Sequence, residues 1–133
     1  MIPPQFSVVQ HSYHSAFGNQ NCNAVVASGI ALLAPFGSVD EKFFNLHFNA
    51  NVKGFFFSVQ KGLPVMNDGE SIIMNASIAA TKGFPGMSVY SATKAALRSF
   101  ARTWTNELRE RRIRVNAISP GHVFPGLEYR SLA

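Results

Sequence analysis

Cysteine is nearly absent from this sequence. Its 133 residues contain only Cys22, which excludes an intrachain disulfide framework and is compatible with a reducing compartment. No basic segment followed by an apolar core opens the chain, so no secretory signal is expected. The longest apolar tract, Ala24 to Phe36, is interrupted by Ser28, Gly29 and Pro35 and is too short to span a bilayer. These absences predict a soluble cytoplasmic protein.

Acidic side chains are also few. Seven Asp and Glu face twelve Lys and Arg, for a formal net charge of +5. Such a balance raises the question of a nucleic-acid or membrane partner. However, six of the cations lie between Arg98 and Arg114, in one predicted helix and its exit, where positive charge complements the helix dipole. Because no aromatic interleaving accompanies the charge, we expect neither a nucleic-acid nor a membrane partner.

Residues 1–23 have no hydrophobic period. They mix Pro, Gln, Asn, Ser and His, which predicts a loop or disordered lead-in, and we leave this segment unassigned. His11, His14 and Cys22 are the nearest approach to a metal-ligand set. A fourth ligand at suitable spacing is missing, so no metal site is predicted.

Residues 24–133 read as one α/β unit. Hydrophobic residues make up 47% of the sequence and charged residues 14%, enough for one packed domain and too little chain for two. A capping box from Ser38 to Glu41 is expected to open the first helix, and Ser88 to cap the second. Strands are predicted near 24–29, 70–76 and 113–118, and helices near 39–65 and 88–111. Alternation of this kind predicts a parallel sheet with flanking helices.

Tyr90 and Lys94 are the first residues that indicate chemistry. Spaced i and i+4, they leave the same face of the second helix. A nearby ammonium favours the phenolate form of a phenol, as proton transfer requires. Ser77 follows the second strand, where open α/β sheets form their ligand crevice. Each has an ordinary alternative: Ser77 as a loop cap, Asn51 as a helix interruption and Lys94 as a solvated lysine.

Taken together, these residues form an ordered set. Asn51–Gly54, Ser77, Tyr90–Lys94 and Arg114–Gly121 occur in that order. The set resembles the short-chain dehydrogenase/reductase family, over residues 24–126. The resemblance implies a partial Rossmann-like parallel sheet with flanking helices.

The same resemblance implies roles for single residues. Tyr90 would be the general acid/base, and Lys94 would favour its phenolate and hydrogen-bond the nicotinamide ribose. Ser77 would polarise the substrate carbonyl. Asn51 would break its helix and hold a water in a proton relay to Lys94.

A nicotinamide cofactor, NAD or NADP, is implied with them. Its partner would be a small carbonyl or alcohol substrate, with hydride passing reversibly between the two. The implied catalytic residues are Asn51, Ser77, Tyr90 and Lys94. The implied cofactor-binding residues are Gly29, Asn51, Tyr90, Lys94, Pro120 and Gly121.

The sequence departs from the family in three places. No Gly-x-x-x-Gly-x-Gly occurs, Val26–Gly29 stands where Asn-Asn-Ala-Gly is usual, and His122 stands where a Thr is usual. An N-terminally truncated family member is therefore expected, one that binds dinucleotide weakly and turns over little. Loss of the first strand would leave the 24–29 strand with an open edge.

That open edge predicts a homo-oligomer. The family also forms subunit interfaces through the interrupted helix and the Tyr–Lys helix, here carrying Phe55–Phe57 and Trp104. The alternative function is accordingly a non-catalytic remnant acting only through oligomer contacts.

Overall fold

A computed structural model describes residues 12–14, 23–26 and 29–121. Expectations for His11, Cys22, residues 27–28 and residues 122–133 lie outside this range. The strands are β1 Ser12–His14, β2 Asn23–Val26, β3 Ser71–Asn75 and β4 Arg114–Ile118. The longer helices are α1 Glu41–Phe48, α2 Phe55–Gly62 and α3 Ser88–Glu107, with a π-helical segment Asn49–Gly54 joining α1 to α2. Short 3-10 turns occur at Phe36–Ser38, Leu63–Val65, Ile78–Ala80 and Arg109–Arg111.

One sheet joins the four described strands in the order β1-β2-β3-β4. β2 and β4 both run parallel to the central strand β3, so that Ile72 lies between Ala24 on one side and Val115 on the other. The predicted parallel α/β arrangement is therefore confirmed, with each predicted strand found within a few residues of its expected place.

The N-terminal segment contains a strand that the sequence pattern does not reveal. Residues 12–14 pair antiparallel with β2, Tyr13 opposite Ala24. Predicting an irregular lead-in was wrong for these three residues, and the edge of β2 is partly covered. The physical reason is that an open strand edge offers N–H and C=O groups to any extended neighbour, whatever its hydrophobic period. The division of the chain at residue 24 stays a prediction.

The first helix begins differently from its prediction. Asp40, not Ser38, is the N-cap, and its carboxylate accepts from the Phe43 N–H at 2.7 Å. Ser38 instead donates its hydroxyl to Pro35 O at 2.9 Å. Nor does the helix break at Asn51, because the π-helical segment continues it into α2. The local widening of the turn replaces the expected interruption.

The second helix, α3, supplies the apolar stripe that covers the sheet. Its first residue is Ser88, but Met87 occupies the N-cap position and makes no side-chain cap bond, so the expected Ser88 cap is wrong. Leu97, Ala101 and Trp104 of this stripe are buried, and Leu108 packs against them partly buried. They join a core with these residues from the sheet, α2 and the segments next to them: Phe55, Val59, Met66, Ile72, Met74, Ile113 and Val115.

Arg111, in the short turn after α3, ties that turn to the segment between α2 and β3. Its Nη1 donates to Leu63 O at 3.0 Å and its Nη2 donates to Met66 O, while Nε lies 3.0 Å from an Asp68 carboxylate oxygen. The Asp68 side chain is 55% exposed, so water screens this ion pair. Most of the stabilisation should therefore come from the two carbonyl contacts.

Arg111→Ala is expected to lower the free energy of unfolding by about 1–3 kcal/mol, because two carbonyl groups lose their donor. Asp68→Asn should cost below about 1 kcal/mol, as is usual for an exposed pair. Urea unfolding followed by circular dichroism measures both, with the exposed Arg109→Ala as the control. Equal losses for Arg111→Ala and Asp68→Asn would contradict this division of the contacts.

Candidate active site

Lys94 reaches from α3 to the carboxyl end of β3. Only 4% of the residue is exposed, and its Nζ donates to Asn75 O at 2.8 Å. The same Nζ lies 5.7 Å from the centroid of the Tyr90 ring. Tyr90 itself is partly exposed. The i,i+4 spacing thus brings a buried amine and a partly exposed phenol together at the carboxyl ends of the parallel strands.

Asn51 connects the π-helical segment to two other parts of the chain. It is fully buried. Its Oδ1 accepts from the Ile30 N–H at 2.8 Å, and its Nδ2 donates to Ile30 O at 2.9 Å and to Thr93 Oγ1 at 3.0 Å. The Thr93 hydroxyl in turn donates to Tyr90 O at 2.7 Å. Asn51 therefore fixes the chain after β2 against the helix of Tyr90 and Lys94.

Gly29 lies where Asn51 and Lys94 meet. A Cβ added to it would stand 3.1 Å from Asn51 Oδ1 and 3.4 Å from Lys94 Nζ. Its φ of +152° also lies in a region that L residues rarely adopt. Glycine therefore keeps a small space open between the backbone and the amine. The structure brings together Gly29, Asn51 and Lys94, three of the residues that the family resemblance implies in cofactor binding; that role stays a prediction.

Ser77 begins the short turn that follows β3. Its Oγ accepts from the Ala79 N–H at 3.1 Å, so it caps the Ile78–Ala80 turn. Ser77 therefore acts as the loop cap that was the ordinary alternative for this residue. Because its oxygen only accepts in this contact, its hydroxyl can still donate a hydrogen bond to another group. The Ile78 N–H donates to Pro120 O at 3.0 Å, and Gly121 lies against the same residue. Pro120 and Gly121 are thereby held beside the turn that carries Ser77.

Comparison with known proteins decides the family. The family model described as Enoyl-(Acyl carrier protein) reductase matches residues 10–127. A protein of Escherichia coli described as the uncharacterized oxidoreductase YghA is 31% identical over 118 residues, which are 89% of this chain. The chain belongs to the short-chain dehydrogenase/reductase family. The resemblance read from the ordered motifs is confirmed.

Other family members match over a similar stretch. Oxidoreductase asL5 of Sarocladium schorii is 39% identical over 98 residues, 72% of this chain and 39% of its own length. The crystal structure of landomycin C-6 ketoreductase LanV with bound NADP and rabelomycin superimposes with a TM-score of 0.71 at 32% identity, covering 74% of this chain and 40% of LanV. A putative betaketoacyl-ACP reductase reaches a TM-score of 0.68 at 43% identity, over 74% of this chain and 42% of that protein. The Rossmann-like sheet is confirmed, and the chain spans about two-fifths of the relatives' length.

Two buried polar residues near this family site were not predicted. His47 and Thr93 are both 0% exposed, and both hydrogen-bond to parts of the site region. His47 stands four residues before Asn51, and that spacing could have indicated a shared helix face. Within residues 12–14, 23–26 and 29–121, no group of three His, Cys, Asp or Glu could hold a metal. No helix of the described chain is long and apolar enough to cross a membrane.

Burial changes the acid–base behaviour of Lys94. Desolvation lowers its pKa from 10.5 to about 8. The folded chain therefore releases a proton that the unfolded chain keeps between pH 8 and 10.5. The burial penalty is fully present below pH 8 and is relieved as the pH rises through this range.

Wild-type stability relative to Lys94→Met should consequently rise between pH 8 and 10.5, by up to about 3 kcal/mol. Urea unfolding of both proteins at several pH values measures the difference. Lys82→Met, which replaces an exposed lysine, is the control. A difference between wild type and Lys94→Met that stays flat or falls with pH would contradict the assigned direction.

Proposed function

We propose that this chain carries the catalytic part of an NAD(P)-dependent oxidoreductase of the short-chain dehydrogenase/reductase type. Its reaction is reversible hydride transfer between the nicotinamide and a carbonyl or alcohol substrate. The observation that carries the proposal is the meeting of Gly29, Asn51 and Lys94, whose Nζ lies 5.7 Å from the centroid of the Tyr90 ring. A similar structure, the LanV ketoreductase, has NADP bound, which supports the cofactor class.

The residues present suit the nicotinamide-ribose half of such a cofactor. Gly29 leaves open the space beside Lys94 that a Cβ would fill. An amine whose pKa is about 8 is largely protonated at neutral pH and can donate to ribose hydroxyls. The partly exposed Tyr90 phenol stands beside it. The space that glycine leaves beside this amine donor therefore favours a hydroxyl-bearing ligand over an apolar one.

Each residue of the site then has a proposed role. Tyr90 gives or takes the proton of the substrate hydroxyl, and Lys94 favours its phenolate form while holding the ribose. Ser77 donates its hydroxyl proton to the substrate oxygen. Asn51 would hold a water in the relay that reaches Lys94, and Pro120 and Gly121 would help to hold the nicotinamide. When bound, the cofactor supplies the hydride, so the protein contributes position and electrostatics.

The sequence lacks the Gly-rich turn on which a pyrophosphate would rest. We therefore expect the 133-residue chain to bind reduced nicotinamide mononucleotide at the site, and NADPH or NADH no more than about tenfold more tightly. Nuclear magnetic resonance titration measures both affinities, with shifts expected at Gly29, Tyr90 and Lys94. Turnover with a panel of ketones is expected to be slight, and any turnover should disappear in Tyr90→Phe.

Matched variants make this titration decisive. Lys94→Met should abolish the shifts at Gly29, whereas Lys82→Met should leave them unchanged because that lysine is exposed elsewhere. Shifts that survive Lys94→Met, or turnover that survives Tyr90→Phe, would refute the assigned roles. Tight binding of NADPH would refute the expected weakness and show that this chain supplies its own phosphate contacts.

The second candidate is a non-catalytic family remnant acting through oligomer contacts. One observation favours it: aromatic side chains on α2 and α3 border an apolar pocket of about 170 Å³ lined in part by Phe56, Val59 and Trp104. Phe57 beside them is 44% exposed. The same titration separates the two candidates, since a remnant would show no nucleotide shifts while sedimenting as an oligomer.

A further inference from the structure

The segment Gly29–Ala34, here named the strap, runs from the candidate site to the start of the Tyr90 helix. Its even-numbered residues are partly buried and its odd-numbered residues Ala31 and Leu33 are exposed, as in an extended chain lying on a surface. Three backbone amides of the strap donate in turn: Ile30 to Asn51 Oδ1 at 2.8 Å, Leu32 to His47 Nε2 at 3.2 Å, and Ala34 to Gly86 O at 3.0 Å.

His47 makes the middle contact, and its protonation state follows from its two partners. The Leu32 N–H can only donate, so Nε2 must accept. Phe43 O can only accept, and it lies 3.0 Å from Nδ1, so Nδ1 must carry the proton. Both partners thus require the same neutral tautomer. A fully buried imidazole with both nitrogens engaged is held in one orientation.

His47 and Asn51 stand one helical turn apart and hold the strap two residues apart. That match matters because Gly29 is the residue next to Ile30, and it meets Lys94 Nζ. We infer that His47 is a positioning residue, which acts with Asn51 to fix the strap so that Gly29 keeps its place beside Lys94. The inference deepens the proposed function, since it assigns a residue that shapes the ribose site without touching it.

Two amide variants separate the nitrogens of His47. The Gln amide reaches about as far as Nε2, so His47→Gln keeps an acceptor for Leu32. The Asn amide reaches only as far as Nδ1, so His47→Asn keeps the Phe43 contact and leaves the Leu32 N–H without its acceptor. Both are polar and uncharged, which makes them matched controls for each other.

Three measurements test the inference. Nitrogen-15 chemical shifts of the His47 ring should show a protonated Nδ1 and an unprotonated Nε2. In His47→Asn, hydrogen exchange at Leu32 and Ile30 should speed up on the order of ten- to a hundredfold, with Ile72 and Met74 in the core unchanged. His47→Gln should restore slow exchange. Affinity for reduced nicotinamide mononucleotide should fall in His47→Asn and recover in His47→Gln.

The outcomes distinguish the two proposals. If the wild type does not bind the mononucleotide, the proposed function fails, while the tautomer and the exchange rates still test the positioning of the strap. If the wild type binds and His47→Asn binds equally well despite faster exchange at Leu32, the positioning role is refuted and the proposed function stands. The opposite tautomer, or unchanged exchange at Ile30, would also overturn the inference.

Discussion

Asn51→Leu is expected to lower the free energy of unfolding by about 2–4 kcal/mol. The leucine has similar volume but can neither accept from the Ile30 N–H nor donate to Ile30 O, contacts that Asn51 makes at 2.8 and 2.9 Å. It also removes the donor to Thr93 Oγ1. Leaving a buried donor or acceptor without a partner costs about 1–3 kcal/mol per group, more than the bond itself contributes.

Urea unfolding followed by fluorescence of the single tryptophan, Trp104, measures this loss. Asn49→Leu is the matched control, because Asn49 begins the same π-helical segment and is exposed. Its change should stay within about 0.5 kcal/mol. Asn51→Asp should be as damaging as Asn51→Leu, since it sets a carboxylate oxygen against Ile30 O. Equal stabilities for the Asn49 and Asn51 leucine variants would refute the bridging role.

Leu97→Ala is expected to cost about 2–5 kcal/mol, the range for a fully buried leucine. Leu97 is 0% exposed in the layer between α3 and the sheet, where its neighbours in the core include Ile72 and Met74. Strands on one side and helix backbone on the other limit how far the surroundings can collapse. Most of the deleted volume should therefore remain as a cavity.

Denaturant unfolding of Leu97→Ala measures the cost, and Leu46→Ala provides the control. Leu46 is a leucine of α1 that is 47% exposed, so its truncation should cost below about 1 kcal/mol. The dependence on denaturant should be unchanged in both, since neither alters the surface exposed on unfolding. A loss for Leu97→Ala as small as that for Leu46→Ala would mean that α3 does not pack on the sheet as described.

Hydrophobic pattern accounts for the parts of the fold that the sequence predicts well. β3 reads as a run of apolar residues around Ile72 and Ile73, and α3 carries buried residues at Leu97, Ala101 and Trp104. Burial alone decides such elements, and burial is visible in the order of residues. β1 has no such pattern, because a pairing of three residues at a sheet edge is decided by the partner strand.

Local sequence also failed where two structural options were similar. Ser38 and Asp40 can both cap a helix, and the carboxylate of Asp40 is the one that accepts from Phe43 N–H. At Asn51 the helix does not break but continues as a π-helical segment. There the Asn51 side chain hydrogen-bonds to Ile30, 21 residues earlier. Contacts over such distances leave no periodic trace in the sequence.

The candidate site was predicted residue by residue only where motifs and topology agreed. Tyr90 and Lys94 share a face by helix geometry alone. Ser77 follows β3, and the Lys94 amine hydrogen-bonds to the last residue of that strand. Their roles stay predictions. His47 was missed because a single buried histidine has no motif, and its meaning depends on the backbone of Leu32.

The alternating anchors of the strap bear on how this region can change in evolution. We expect substitution to be tolerated at Ala31 and Leu33, which are exposed and whose amides are not the ones held by His47 and Asn51. Insertion or deletion of a single residue is a different event. It would bring the backbone amides of odd-numbered residues to the Asn51 and His47 acceptors, which now bind even-numbered ones. It would also turn the Leu33 side chain inward. Relatives that keep this geometry should therefore vary in amino-acid sequence within the strap while keeping its length.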